Sequence, residues 1–215
     1  MTIAETARAR QTKKRTRIQE ENEERILDAA LEVFSSYGLR GATIDQIAAL
    51  AGMTKPNLLY YFRRKDDIYL SVLRRTLENW LQPLEDLGRG DDPRDEMRAY
   101  LERKLEMSRD NPKASRLYAM EMLQGAPVLR GVLGTRLKDL VDEKAALMRR
   151  WIAEGRMAPI DPYHLIFMVW ATTQHYADFE IQVRAVLGDK AADNRHFKAA
   201  THALEDVILG GIFGR

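Results

Sequence analysis

The fold of this chain is decided at residues 43–62, which read TIDQIAALAGMTKPNLLYYF. Thr43 and Gln46 have the spacing of a capping box, and apolar side chains follow at helical spacing. Gly52 lies where a tight turn between two helices needs a residue that tolerates a positive φ. Thr54 then caps a second short helix. The stretch therefore predicts two short helices joined by a tight turn.

The second helix of this pair has the composition of a helix that enters the major groove of DNA. Leu58 would pack it against the protein, while Lys55 and Asn57 near its amino-terminal end can hydrogen-bond base edges or phosphates. The same pattern also fits an ordinary helical hairpin with a solvated basic end at residues 63–65. The predicted DNA-binding residues are Thr43, Thr54, Lys55, Asn57, Tyr60, Tyr61 and Lys65.

Outward from this stretch, helical spacing continues in both directions, and Pro and Gly residues mark the boundaries. Three Asp-Pro or Asn-Pro pairs, at 92–93, 111–112 and 161–162, combine a capping side chain with a proline that suits the first helical position. No stretch alternates with period two for long. The sequence predicts an all-α fold of about nine helices, at 19–37, 44–51, 55–61, 66–87, 93–109, 112–124, 127–154, 161–179 and 193–210.

Charge is divided unevenly along the 215 residues, whose net charge is +2. Residues 1–65 hold 12 Lys and Arg against 8 Asp and Glu, whereas residues 66–215 hold 22 against 24. A basic amino-terminal part on a mildly acidic remainder indicates one module that faces a polyanion. Residues 1–18 lack apolar periodicity, so we expect a disordered basic arm that is either a solvated tail or a phosphate contact.

Other classes of protein lack support in the sequence. The chain has no Cys, its basic start is not followed by an apolar segment, and its longest apolar run, 165–171, is too short to cross a bilayer. We therefore expect a soluble cytoplasmic protein without membrane contact. His164 and His175 lack metal-ligand spacing, and Asp178 and Glu180 read as part of a charged helix face. We expect no metal, no cofactor and no enzymatic activity.

Residues 20–70 resemble the amino-terminal domain of the TetR family of transcriptional repressors. The resemblance is carried by GAT at 41–43, IA at 47–48, AGMT at 51–54 and LLYYF at 58–62. It departs from the family at Leu59, where a phosphate-contacting tyrosine is frequent. The resemblance implies a TetR-like homodimer that binds a palindromic operator in double-stranded DNA. It implies a helix-turn-helix domain at 19–65 and a ligand-binding and dimerisation domain at 66–215.

The larger domain is similar, within that family, to regulators of pyrimidine utilisation that respond to uracil and thymine. The similarity is carried by WLQP at 80–83, NPKASRLYAMEML at 111–123, APIDPYHLIFMVW at 158–170 and QHYADF at 174–179. It implies a repressor of pyrimidine catabolism that uracil or thymine releases from its operator. The alternative is a TetR-type regulator of an unrelated, more hydrophobic effector, such as a drug, a fatty-acyl compound or a signalling molecule.

One face of the predicted eighth helix suits a small polar effector. Trp170, Thr173 and Gln174 share that face, and a glutamine amide can both donate and accept along the imide edge of uracil. Trp and Met at helical spacing are also typical of an ordinary core. Together with residues that the resemblance places around the ligand cavity, the predicted effector site contains Trp80, Lys104, Met107, Tyr118, Met122, Trp170, Thr173 and Gln174.

The last two long helices should pack against their symmetry mates, because a single helix-turn-helix reads only one half-site. We expect Phe197, Leu204, Val207 and Ile208 to lie in that interface. The predicted helix at 66–87 begins beside the DNA-reading helix and carries Trp80, so we expect it to transmit effector binding.

Overall fold

The computed structural model describes residues 17–188 and 195–214, and within these ranges every regular element is a helix. Two π-helical turns, Leu133–Leu137 and Glu205–Leu209, connect successive helices in the second half of the chain. The helices are α1 (Arg17–Gly41), α2 (Ile44–Leu50), α3 (Lys55–Tyr61), α4 (Lys65–Asp86), α5 (Pro93–Asp110), α6 (Pro112–Leu123), α7 (Arg130–Val132), α8 (Lys138–Ala153), α9 (Pro162–Asp178), α10 (Glu180–Leu187), α11 (Arg195–Leu204) and α12 (Gly210–Phe213).

The predicted all-α fold is confirmed, with differences in detail. The helix predicted at 127–154 begins at Arg130 and contains the π-helical turn Leu133–Leu137 before α8. Helix α1 continues to Gly41 across a kink at Gly38, where φ is 66°. Helix α10 is additional, because Phe179 leaves helical geometry at φ −113° and ψ 31° and separates it from α9. Of the predicted basic arm, residues 17–18 belong to α1 and residues 1–16 lie outside the described residues.

Helices α1, α2 and α3 and the start of α4 form the part of the chain called here the headpiece. The first of two hydrophobic cores, the headpiece core, joins these helices and also includes residues further along the chain. Phe34 of α1 and Tyr69 of α4 meet edge to face at 5.0 Å between ring centroids. Leu58 of α3 is fully buried among them. Leu117 of α6 and Leu129 of the following segment belong to the same core. The headpiece core therefore extends beyond the predicted domain boundary at residue 65.

The second core lies between the carboxyl-terminal half of α4, helices α5, α8 and α9, and the last helical segment. Ile208 is 4% exposed in this core, and Leu204 packs against it. The prediction that Ile208 faces a partner subunit is therefore corrected, because Ile208 is buried within its own chain, whereas Leu204 is only partly buried and its predicted contact stays a prediction. Val207 points the other way and is 72% exposed.

The carboxyl-terminal end of α4 is fixed by α8. The largely buried Lys144 donates hydrogen bonds from Nζ to the carbonyl oxygens of Glu85 and Leu87, both at 3.0 Å. These carbonyls lie at a helix end, where intrahelical partners are missing. Helix α4 is thus anchored in both cores. None of the helices among residues 17–188 and 195–214 is long and apolar enough to cross a membrane.

Candidate DNA interface and effector site

The helix-turn-helix forms by the local interactions that the sequence predicted. The backbone N–H of Gln46 donates to Oγ1 of Thr43 at 3.2 Å, and Oε1 of Gln46 accepts from the backbone N–H of Thr43 at 2.8 Å. Thr54 caps α3 by accepting from the backbone N–H of Asn57 at 3.4 Å. Gly52, with φ 67°, makes the turn between them. Both predicted caps and the turn are confirmed.

Helix α3 is held on one side and open on the other. Leu58 anchors it in the headpiece core, and Arg25 of α1 donates to the carbonyl oxygen of Ala51 at 2.6 Å just before it. The opposite side presents Lys55, Asn57 and Tyr60, all of which are exposed. A helix held at its back and exposed at its start can insert into the major groove of DNA.

The predicted DNA-binding residues differ in how free their polar groups are. Thr43, Thr54 and Asn57 are exposed. The Thr54 hydroxyl only accepts within its cap, so its hydrogen can turn towards phosphate, whereas the Thr43 hydroxyl donates to Oε1 of Gln46 at 3.0 Å. Lys55 is exposed, but its Nζ lies 2.9 Å from Oδ2 of Asp45. Bound DNA would therefore replace an existing ion pair at Lys55.

Two further predicted contacts are less available. The hydroxyl of Tyr61 already accepts a hydrogen bond from Nδ2 of Asn22 at 2.9 Å, and the Tyr61 side chain is half-buried, so it is less accessible than Tyr60. Lys65 donates from Nζ to the carbonyl oxygen of Ala42 at 2.7 Å, where α1 ends. Its ammonium therefore has a structural partner within the headpiece. Asn22 was not predicted, because it reaches Tyr61 from a helix 39 residues earlier in the chain.

The effector site that the sequence predicted is centred on a buried lysine. Lys104 of α5 is 1% exposed, and its Nζ lies 3.9 Å from the centroid of the Trp80 ring and 3.4 Å from the carbonyl oxygen of Trp80. Burial lowers the pKa of Lys104 to about 7, although the charge of Asp178 acts in the opposite direction. The site therefore holds an amine that can lose its proton near neutral pH.

Helix α9 contributes three side chains with different hydrogen-bonding capacity. Nε1 of Trp170 donates to the hydroxyl of the buried Tyr100 at 2.7 Å, which fixes the indole. The hydroxyl of Thr173 is buried and donates to the carbonyl oxygen of Val169 at 2.7 Å. Gln174 is half-buried, and its amide makes no hydrogen bond within the described part of the chain. Gln174 is thus the member of this face whose polar group is available to a ligand.

The charge of Asp178 acts on Lys104, although the sequence favoured a place for Asp178 on a charged helix face. Its carboxylate is half-buried and accepts a hydrogen bond from Oγ of Ser115. Burial raises the pKa of Asp178, while Ser115, Arg116, His175 and Lys104 lower it. The residue lies four positions after Gln174 on α9, a spacing that could have indicated it.

The remaining predicted effector residues lie on α5 and α6. Met107 of α5 is buried, and burial raises the pKa of the Tyr118 phenol to about 12. Tyr118 and Met122 of α6 both pack against the headpiece core, and Tyr118 also contacts the second core. Tyr118 therefore joins the two cores, whereas Met122 packs only against the headpiece core.

A groove of about 750 Å³ lies further along α5, outside the predicted effector site. Its walls carry the carboxylates of Asp86, Asp95, Glu96 and Glu106, and it contains none of the eight predicted effector residues. Such walls do not suit a neutral ring. Among the residues that the structure describes, no cluster of His, Asp or Glu side chains could hold a metal ion.

The fold and the exposed α3 define a helix-turn-helix regulator of transcription. Residues 26–72 match the bacterial regulatory proteins of the tetR family, and residues 73–215 match the carboxyl-terminal region of YcdC-like proteins. The chain belongs to the TetR family of DNA-binding transcriptional regulators, which is a non-enzymatic class, as the sequence predicted.

The similarity to relatives covers both domains. The HTH-type transcriptional regulator RutR of Escherichia coli O157:H7 is 48% identical over 201 residues, which are 94% of this chain and 95% of RutR. A TetR-like regulator from Rhodococcus sp. RHA1 aligns with a TM-score of 0.64 at 25% identity over 88% of this chain and 94% of its own. The fatty acid degradation regulator FadR from Bacillus halodurans shares the fold, with a TM-score of 0.64 at 20% identity over 93% and 98% of the two chains.

Proposed function

We propose that this protein is a homodimeric repressor that uracil or thymine releases from a palindromic operator, and that it controls pyrimidine catabolism. The observation that carries this proposal is the 48% identity to RutR across the effector domain as well as the headpiece. The larger domains of TetR-type regulators usually diverge with the ligand. The resemblance to regulators of pyrimidine utilisation therefore favours the same class of ligand here.

Operator binding requires two headpieces. One α3 reads a single half-site, so a two-fold dimer must present two such helices to successive major grooves. The last helices of the chain carry the apolar surface that a second copy would cover. Four apolar side chains are exposed there in the single chain: Phe167 of α9, Ile181 and Val186 of α10, and Val207 between α11 and α12. Exposed apolar side chains on adjoining elements favour an interface between subunits.

The effector site offers the groups that a pyrimidine base needs. The amide of Gln174 can donate to a ring carbonyl and accept from the imide N–H, and Lys104 can donate to the second carbonyl. The rings of Trp80 and Trp170 can cover the flat faces of the base. Each buried pairing of this kind contributes about 1–3 kcal/mol, since its loss leaves a polar group unsatisfied.

Titration calorimetry with uracil tests this assignment. Uracil should bind the wild type, and Gln174→Ala should weaken binding by roughly 5- to 100-fold, the equivalent of one lost buried pairing. Trp170→Ala should weaken it as well. Gln182→Ala is the matched control, because Gln182 is an exposed glutamine on the next helix and should not affect binding. If uracil binds but Gln174→Ala behaves as wild type, the ligand stands and the proposed pairing is wrong.

A further inference from the structure

Helix α6 is tied to the effector helix α9 at its start. Ser115 donates to the carboxylate of Asp178, and Arg116 donates to the carbonyl oxygen of Ala177 at 3.2 Å and to Oε2 of Glu180 at 2.8 Å. These polar contacts hold the first turn of α6 against the end of α9. A displacement of α9 at the effector site therefore reaches α6 directly.

The other half of α6 carries a buried carboxylate with two partners. Glu121 is 2% exposed. Its Oε2 accepts from the hydroxyl of Tyr69 on α4 at 3.2 Å, and its Oε1 accepts from the backbone N–H of Val128 at 2.7 Å. The two carboxylate oxygens thus join α4 to the segment that follows α6.

Tyr69 leads from this contact into the headpiece. The side chain is buried in the headpiece core against Phe34 of α1. Burial and the nearby charge of Glu121 raise the pKa of its phenol, so the hydroxyl remains a hydrogen-bond donor at neutral pH. The same core holds Leu58, which fixes α3. A movement of Tyr69 therefore displaces the packing on which the DNA-reading helix rests.

The segment after α6 is held in an unfavourable backbone conformation. Ala126 has φ 53°, a value that residues with a side chain seldom adopt, and its N–H donates to the carbonyl oxygen of Glu121 at 2.9 Å. Both the backbone and the side chain of Glu121 therefore fix this turn. The end of α6 cannot shift alone without breaking contacts on two sides.

We propose that the hydrogen bond between Tyr69 and Glu121 is the positioning contact through which the effector site controls the headpiece. The proposal rests on the proposed function, because it requires an effector that acts on operator binding. Apolar contacts between α6 and the headpiece core can slide, whereas a buried carboxylate that loses its donor is left unsatisfied. Effector-driven movement of α6 therefore carries α4 with it.

The test compares two variants that each remove one tyrosine hydroxyl from a carboxylate. Tyr69→Phe removes the proposed contact. Tyr163→Phe is the matched control, because the hydroxyl of Tyr163 donates to Asp142 at 2.9 Å between α9 and α8, outside the headpiece core. For each protein, operator affinity is measured with and without saturating uracil, and uracil affinity is measured without DNA.

The factor by which saturating uracil weakens operator binding should be at least ten times smaller in Tyr69→Phe than in wild type. The uracil affinity of Tyr69→Phe without DNA should stay within about threefold of the wild-type value. Tyr163→Phe should respond as wild type. Glu121→Gln should retain most of the response, since its amide can donate to the Tyr69 hydroxyl and its oxygen can accept from Val128. If uracil releases wild type and Tyr69→Phe equally, the proposal is overturned and the proposed function stands. If uracil binds no variant and releases none, both are overturned.

Discussion

At the scale of single residues, Asp45 and Lys55 form an exposed ion pair on the surface that should face DNA, with 2.9 Å between Oδ2 and Nζ. Asp45 also brings a negative charge towards the phosphates. Lys55→Ala should therefore weaken operator binding and relax its sequence preference by about 1–3 kcal/mol if Lys55 pairs a base. Asp45→Asn should do the opposite and strengthen binding by roughly two- to fivefold, the scale of an exposed ion pair.

Fluorescence anisotropy of a labelled operator duplex at two salt concentrations measures both effects. Asp139→Asn on α8 is the matched control, because it removes an equally exposed carboxylate outside the headpiece. Weaker binding by Asp45→Asn would show that Asp45 supports the interface instead of competing for Lys55.

Lys104 makes the free energy of unfolding depend on pH, and the lowered pKa determines the direction of this dependence. The ordinary pKa of 10.5 is lowered to about 7 by burial. Between these values the unfolded chain holds a proton that the folded chain has lost, so the free energy of unfolding rises with pH across this window. The destabilisation caused by burying the charged amine of Lys104 applies in full below about pH 7, and it disappears as the pH rises towards 10.5.

Lys104→Met should therefore be more stable than wild type at pH 6, and this advantage should shrink as the pH approaches 10. Each unit of pKa difference corresponds to about 1.4 kcal/mol. Urea unfolding of both proteins at pH 6, 8 and 10 measures the difference directly, and other titrations cancel. An advantage that stays constant with pH would mean that Lys104 does not titrate as its burial requires.

The residues that sequence reasoning found are those whose environment is local. The capping box of Thr43 and Gln46 depends only on positions three apart, so its pattern was sufficient. Asp178 was assigned to a charged face, because its burial depends on Ser115 of another helix. The carbonyl partners of Lys65 were not predicted for the same reason, since they lie more than 20 residues earlier, and its phosphate contact stays a prediction.

At the scale of elements, caps and prolines in the sequence predicted where helices begin, but the sequence did not predict where helices depart from regular geometry. The proline-led starts of α5 and α6 were predicted at the correct residues and that of α9 one residue early, since the signal lies within one turn. The π-helical turn at Glu205–Leu209 and the break at Phe179 carry no comparable mark. They arise where helices adjust to their neighbours, so tertiary packing decides them.

The last helical segment separates subunit packing from folding. Ile208 faces the second core, whereas the adjacent Val207 faces outward. Val207→Glu should therefore give a folded monomer, because it places a charge in the proposed interface without entering the core. Ile208→Glu should lose the fold, since it buries an unpaired charge.

Light scattering with circular dichroism distinguishes these outcomes. Leu123→Glu, at an exposed leucine on α6, is the control and should stay dimeric and folded. A fully dimeric Val207→Glu protein would place the interface elsewhere.

At the scale of the whole molecule, the headpiece core contains residues from both predicted domains. Leu117, Ala126 and Leu129 of the larger domain complete its core. The chain pattern predicted a boundary at residue 65 because composition and family resemblance change there. It could not predict that α6 returns to the headpiece, since that contact joins residues about 50 apart, as Tyr69 and Glu121 do. The DNA-binding part and the larger domain therefore share one hydrophobic core.

A pyrimidine base should release this regulator from DNA. The most direct measurement is the anisotropy of a labelled operator, selected by the protein from random duplexes, during titration with uracil, thymine and a fatty acid. Uracil and thymine should release the operator and the fatty acid should not, because the proposed effector site contains the polar groups of Lys104, Gln174 and Asp178. Release by the fatty acid, with no response to millimolar uracil, would contradict this prediction.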